Sequence, residues 1–191
     1  MDIDELREAL GNEFAFIFNE INPIIQNFLL EKEAKILDIG TGKGRMAIIL
    51  ALNGYKVITG EPESDQSEYA KQDWLESAKK VEVDHLITYT PFNAENMHFV
   101  DGDFDTIFIL GALHHIDDKK AALKECVRVL KSSGIICIFE PNRDGIKFIR
   151  EKKFPTHPDS VDPRLFAQML SLTIEVRNLS FYDAFLLKKQ I

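Results

Sequence analysis

The stretch Ile36-Leu37-Asp38-Ile39-Gly40-Thr41-Gly42-Lys43-Gly44-Arg45 decides how the rest of this 191-residue chain is read. A short apolar run ends in an acid, and glycines follow at alternate positions before an apolar helical pattern begins. Glycines so placed let a backbone turn sharply and come close to a ligand, where a side chain would collide. The helix that follows offers free N–H groups and a positive dipole end, suited to a carboxylate or phosphate. In an open α/β sheet, ligands bind at the carboxyl ends of the strands, which is where this loop falls. The spacing is G-x-G-x-G with a preceding acid, not the G-x-G-x-x-G of dinucleotide binders.

Outward from this loop, short runs rich in Ile, Val and Phe alternate with longer amphipathic segments, the signature of βα units and a parallel sheet. The pattern predicts strands at 35–39, 55–59, 85–89, 105–110 and 134–139. Several of these are apolar on both faces, as central parallel strands must be. Helices are expected at 44–53, at 65–80 with Ala70, Trp74, Ala78 and Val81 on one face, and at 118–131 with Leu123, Cys126, Val127 and Leu130 facing the core. One more helix follows Asp144, and another starts at Pro163 with Asp162 as its cap. Residues 174–179 and 184–189 read as a closing hairpin. Before the sheet, 2–10 and 14–30 read as helices, the second bent by Pro23. The proline-dense segment 154–163 reads as a surface loop.

Composition bounds the rest. Lys and Arg number 23 against 31 Asp and Glu, a formal charge of -8, and 45% of residues are hydrophobic, which is the balance of an ordinary acidic globular chain. At about 150 residues per domain the length predicts about 1.3 domains, so a single domain over 1–191 is expected: a helical cap at 1–30, a ligand-binding core at 35–140, and closing helices with a terminal hairpin at 141–191. Cys126 and Cys137 stand in separate apolar segments without CxxC or Cys/His ligand spacing, and read as buried thiols of a cytoplasmic protein. No apolar run approaches the roughly 20 residues of a bilayer span, so no membrane passage is expected. Basic residues are scattered, which disfavours attraction to a phosphate backbone.

The segment from Asp38 to Gly44 resembles the first motif of class I S-adenosylmethionine-dependent methyltransferases, and later segments match the same family in order. Glu61 of Ile58-Thr59-Gly60-Glu61-Pro62 resembles the family's acid for the two ribose hydroxyls, a natural task for a carboxylate. Asn93-Ala94-Glu95, followed by Asn96-Met97, is similar to the adenine-recognising loop, with Asn93 where the family usually has Asp. The run from Phe104 to Ile116, with Leu113-His114-His115, resembles the fourth strand and its Leu-His-His signature. Val129-Leu130-Lys131-Ser132-Ser133-Gly134 resembles the turn into the fifth, with two serines where the family usually has Pro and Gly.

The resemblance covers about 35–140. It implies a Rossmann-like α/β fold with a seven-stranded, mostly parallel sheet, an antiparallel last strand and helices on both faces. It implies S-adenosyl-L-methionine as cofactor and S-adenosyl-L-homocysteine as product. The residues it assigns to the cofactor are Asp38, Gly40, Thr41, Gly42, Gly44, Glu61, Pro62, Asn93, Ala94, Glu95 and Leu110. The implied reaction is direct in-line displacement at the methyl carbon, in which alignment and desolvation do most of the work. With short flanking segments, a small-molecule acceptor is favoured. RNA or protein methylation and a non-catalytic cofactor-binding module are the alternatives. No catalytic side chain, oligomeric state or metal site is assigned.

Each assignment has a plainer counterpart. Asp38 and the glycines can simply form a tight turn, Glu61 a solvated strand end, and Asn93 a local loop cap. His114 and His115 orient a loop on this reading and do not abstract a proton; His85, His98 and His157 stand apart. Phe14, Ile17, Phe18 and Ile21 read as a packed helix face, and Lys43 and Arg45 as solvated.

Overall fold

The computed structural model describes residues 1–28, 30–67 and 73–190. Seven strands run in the order β3-β2-β1-β4-β5-β7-β6, and the chain forms two compact units, residues 1–91 and 92–191.

The first unit opens with α1 (Ile3–Gln26), whose start is fixed by a capping box: Asp2 accepts from the backbone of Asp4 and Glu5 while the Glu5 side chain accepts from Asp2 N–H. The break expected between helices at 2–10 and 14–30 is present, at Gly11 with φ 89°, whereas the bend expected at Pro23 is not: the backbone stays helical through it. The buried set Phe14, Ile17, Ile21, Ile24 and Ile25 recurs at helical spacing, which is why this segment is a helix with one inward face. Strands β1 (Ile36–Ile39), β2 (Val57–Gly60) and β3 (Ile87–Tyr89) pair in parallel, with α2 (Arg45–Leu52) between β1 and β2 and α3 (Trp74–Lys80) between β2 and β3. Parallel pairing sets Asp38 opposite Thr59, and Thr59 opposite Tyr89, in one row at the strand ends. The helix expected from residue 65 starts instead at Trp74. Asp73 caps it by accepting from Glu76 N–H, while Pro62 to Asp65 form a turn closed by Asp65 N–H on the Pro62 carbonyl. Ala70, expected on its inner face, lies outside the described residues.

The second unit contains β4 (Phe104–Leu110), α4 (Lys119–Val129), β5 (Leu130–Pro141), α5 (Arg143–Lys152), α6 (Arg164–Ala167), β6 (Leu172–Asn178) and β7 (Tyr182–Lys189). Strands β4 and β5 are parallel, and β7 is antiparallel to both β5 and β6, so the expected hairpin forms. The fifth strand begins earlier than expected, at Leu130, because Leu130 already pairs with Phe104 before a register shift. Gly134 is therefore inside the strand, where a Cβ would stand 2.8 Å from the Asp105 carbonyl oxygen. Asp162 accepts from Arg164 N–H, the bond a cap on a helix starting at Pro163 makes, and Pro163 has helical φ and ψ just before α6. Cys126 and Cys137 are free and buried; burial pushes the Cys126 thiol up to about 12. Among the described residues, no helix is long and apolar enough to cross a membrane.

Asn142 ties α5 to the hairpin. Its side-chain oxygen accepts from Asp144 and Gly145 N–H, and its amide nitrogen donates to the carbonyl of Leu179 at 3.1 Å. Contact is so close here that a Cβ on Gly145 would lie 2.1 Å from the Phe181 carbonyl oxygen. Gly145→Ala, whose Cβ would meet backbone, is expected to lower unfolding free energy by about 3 kcal/mol or more in urea titration. Gly102→Ala, with φ 65° but nothing within 4 Å of its Cβ, is expected to cost only about 1–2 kcal/mol of backbone strain. Equal small losses at both positions would show that the α5–hairpin contact is looser than described.

Candidate functional site

In the first unit the glycine loop has the backbone its sequence requires: Gly40, Gly42 and Gly44 take φ of 89°, 46° and 73°. A side chain at Gly44 would also place its Cβ 2.8 Å from Trp74 Cβ. Gly44 supplies no side-chain cap to α2, so the N–H groups of that helix's first turn receive no side-chain acceptor from the cap position. Asp38, at the end of β1, is 1% exposed. Its Oδ2 accepts from the Thr59 hydroxyl at 2.8 Å, and the Thr59 oxygen lies 2.9 Å from the Thr41 hydroxyl. With Thr59 donating to the carboxylate, Thr41 is the donor to Thr59. The other oxygen, Oδ1, makes no hydrogen bond of normal geometry.

Glu61, also buried, accepts from Gly42 N–H at 3.1 Å, so the second acid is tied to the loop between the first and third glycines. Burial pushes the Asp38 carboxyl up to about 7; the Thr59 hydroxyl pulls it down, the charge of Glu61 pushes it up further, and the Ala47 backbone amide pulls it down. Tyr89, stacked on Trp74 at 6.1 Å, is likewise raised by burial and then by Glu61 and Glu63. Arg45 is not simply solvated: it pairs with Glu13 of α1 at 2.7 Å. Nothing in the sequence gives Thr59 or Tyr89 a role in the site, because only strand register sets Thr59 opposite Asp38 and Tyr89 opposite Thr59.

In the second unit, the segment after residue 92 is a tight turn held by side chains. Asn93 Oδ1 accepts from Glu95 N–H at 2.9 Å, and Asn96 N–H donates to the Asn93 carbonyl. Glu95 in turn accepts from Asp118 N–H, at the cap of α4. Arg128 locks the segment beyond, donating to the carbonyls of Met97 and Phe99 and pairing with Asp101 and Glu125. Those charge-assisted bonds hold the Glu125 carboxyl below its ordinary range. Leu110 closes β4, and Gly111, at φ 58°, donates to the Phe139 carbonyl and turns the chain toward His114.

His157, read as isolated in a surface loop, is buried at 5% exposure and sits on His114. Burial holds its imidazole below the ordinary range. His114 is bonded through Nδ1 to buried Glu140 at 2.8 Å. No sequence spacing links positions 114, 140 and 157; the fold does. Around α5, a surface cleft is lined by Arg143, Lys147, Arg150, Glu151 and Asp159.

A glycine-rich strand-to-helix loop with buried acids at the ends of β1 and β2, in a seven-stranded sheet of this order, defines a Rossmann-like cofactor-binding protein. The methyltransferase domain family matches residues 37–138, and the chain belongs to that family. It is similar to the 27-O-demethylrifamycin SV methyltransferase of Amycolatopsis mediterranei, at 29% identity over 54% of this chain and 37% of that one. It is also similar to the ubiquinone biosynthesis O-methyltransferase of Vibrio campbellii, at 29% identity over 66% of this chain and 54% of that one. The chain thus spans about half the length, or less, of these relatives. The crystal structure of a SAM-dependent methyltransferase from Aquifex aeolicus shares the fold, with a TM-score of 0.68, 16% identity and 98% of each chain covered. The cofactor of this class I family is S-adenosylmethionine, with S-adenosylhomocysteine as product.

Asp38 gives the site a pH signature. An acid whose folded pKa exceeds its unfolded one holds its proton more tightly when folded, so stability falls as the pH rises. The loss is absent below about 3.8, grows through the window up to about 7 and is complete above it. Asp38→Asn keeps an acceptor for Thr59 without the charge. Relative to this variant, the wild type is expected to lose unfolding free energy steadily between pH 4 and 7, each pKa unit being worth about 1.4 kcal/mol. Parallel stability profiles for the two proteins would contradict the burial of this charge.

Proposed function

We propose that this chain is one S-adenosylmethionine-dependent methyltransferase domain that methylates a hydroxyl of a small molecule in the cytoplasm. The observation that carries the reading is the Asp38 carboxylate, buried with one oxygen lacking a hydrogen bond beside a glycine loop of positive φ. Such an oxygen suits a ligand that brings a positive charge or N–H donors. When bound, the cofactor supplies a methyl group already activated on a sulfonium, for direct displacement by the acceptor.

Asp38 then orients the cationic amino-acid end, with Thr59 and Thr41 fixing the carboxylate plane. Gly40, Thr41, Gly42 and Gly44 let backbone come close without side-chain collision. Glu61, steadied by Gly42, reads the ribose diol, and Pro62 restricts the chain that leaves it. The resemblance assigns Asn93, Ala94, Glu95 and Leu110 to the adenine side. There the turn geometry leaves backbone recognition the larger share, since the Asn93 carbonyl and the Glu95 carboxylate already hold local bonds. The similarity to a 27-O-demethylrifamycin SV methyltransferase and to a ubiquinone biosynthesis O-methyltransferase supports the acceptor class.

S-adenosylhomocysteine at 100 times its dissociation constant is expected to stabilise the protein by about 2.7 kcal/mol, read as a raised melting temperature, while NAD leaves it unchanged. Asp38→Ala or Glu61→Ala is expected to remove the shift. With labelled cofactor and cell extract, label is expected in the low-mass fraction. No shift at saturation would overturn cofactor binding; label in RNA or protein would overturn the acceptor class.

A further inference from the structure

Three histidines of the second unit meet where their sequence positions give no sign of it. His114 and His115 lie on the turn after β4, and His157 lies in the irregular segment between α5 and α6. Each offers a ring nitrogen within 4.8 Å of the others. Two of the rings are held from behind. His114 Nδ1 is 2.8 Å from Glu140 Oε2, which also accepts from Val161 N–H, and both side chains are at most 2% exposed. His157 Nδ1 lies 2.9 Å from the Pro158 carbonyl, and Arg150 donates to the His157 carbonyl twice, pinning that residue's backbone.

These bonds decide the tautomers. A carbonyl and a carboxylate only accept, so both Nδ1 atoms carry the proton, and in neutral rings both Nε2 atoms carry lone pairs. Those two Nε2 atoms face each other at 3.4 Å. Two lone pairs at that separation repel unless a cation stands between them, either an added proton or a metal ion. For a tetrahedral zinc ion with Zn–N of about 2.0–2.1 Å, two ligand nitrogens stand about 3.3–3.4 Å apart. A carboxylate and a backbone carbonyl on the far ring nitrogens are also the partners that metal-ligating histidines take.

We propose that His114 Nε2, His157 Nε2 and a ring nitrogen of His115 form a site for a divalent transition metal of the zinc class. Glu140 positions His114 and supplies a compensating negative charge from outside the ligand set. Rotation of the His115 side chain closes the third edge. Three imidazoles leave a fourth position for an oxygen ligand, water in the first instance. The proposal stands independently of the methyl-transfer reading, since none of these residues belongs to the glycine loop or to Glu61.

The test uses the full chain, stripped with a chelator, dialysed against Zn²⁺ and assayed for bound metal by mass spectrometry. One equivalent is expected in the wild type and in His98→Ala, and essentially none in His157→Ala. Glu140→Gln is expected to weaken binding 10–100-fold, with circular dichroism confirming that each variant is folded. Co²⁺ in place of zinc is expected to give the intense visible bands of a tetrahedral nitrogen site, a readout that needs no variant. Less than a tenth of an equivalent in the wild type, undiminished zinc in a folded His157→Ala, or the weak bands of octahedral Co²⁺ would each overturn the proposal. So would a proton alone between the rings, seen as an imidazolium by NMR in protein that takes up no metal.

Discussion

A carboxylate taken out of water without full hydrogen bonding is the constraint around which the first unit is organised. Asp38 is held there by covalent position, at the end of a strand whose other residues are all buried, and by the Thr59 hydroxyl across the parallel pair. Thr41 reaches back from the glycine loop to Thr59, and Gly42 donates to Glu61, so the loop is fastened at two points to the ends of β1 and β2. Each bond is worth about a kilocalorie or two. Together they fix a loop whose left-handed glycines would otherwise leave it with many conformations. A buried acid with a raised pKa is unfavourable for stability alone, and such groups concentrate where a ligand completes the charge balance.

The second unit secures its turns differently, with long charged side chains reaching backbone groups. Arg128 gathers the Met97 and Phe99 carbonyls with Glu125 and Asp101, so the loop after residue 92 inherits the rigidity of α4. Glu140 does comparable work at the end of β5, joining the turn after β4 to the segment that carries His157 and Val161. Surface ion pairs add little on their own, but these are networks that end on backbone groups with few other partners.

The sheet was legible because its central strands are apolar on both faces and its helices carry periodic stripes; both are local patterns. Gly40, Gly42 and Gly44 were legible for the same reason, since a positive φ selects its residue one position at a time. What escaped depended on pairing across the chain. Thr59 looks like an ordinary strand residue until register sets it opposite Asp38. His157 looks like a loop residue until the chain folds onto His114. The break of α1 was legible, since the φ of Gly11 lies outside any helix, but the bend expected at Pro23 does not occur, because a helix can pass through a proline when its neighbours supply the remaining bonds. The early start of β5 depends on a register shift that no periodicity records.

The most direct test of the central claim counts protons. If the cofactor's cationic end is bound by Asp38, binding at pH 6 must ionise a carboxyl group that is mostly protonated beforehand, given its pKa of about 7. Calorimetric titration of S-adenosylhomocysteine in buffers of different ionisation enthalpy is expected to show release of close to one proton per site, and none in Asp38→Asn. Binding with no net proton release by the wild type, or release undiminished in the variant, would contradict the account.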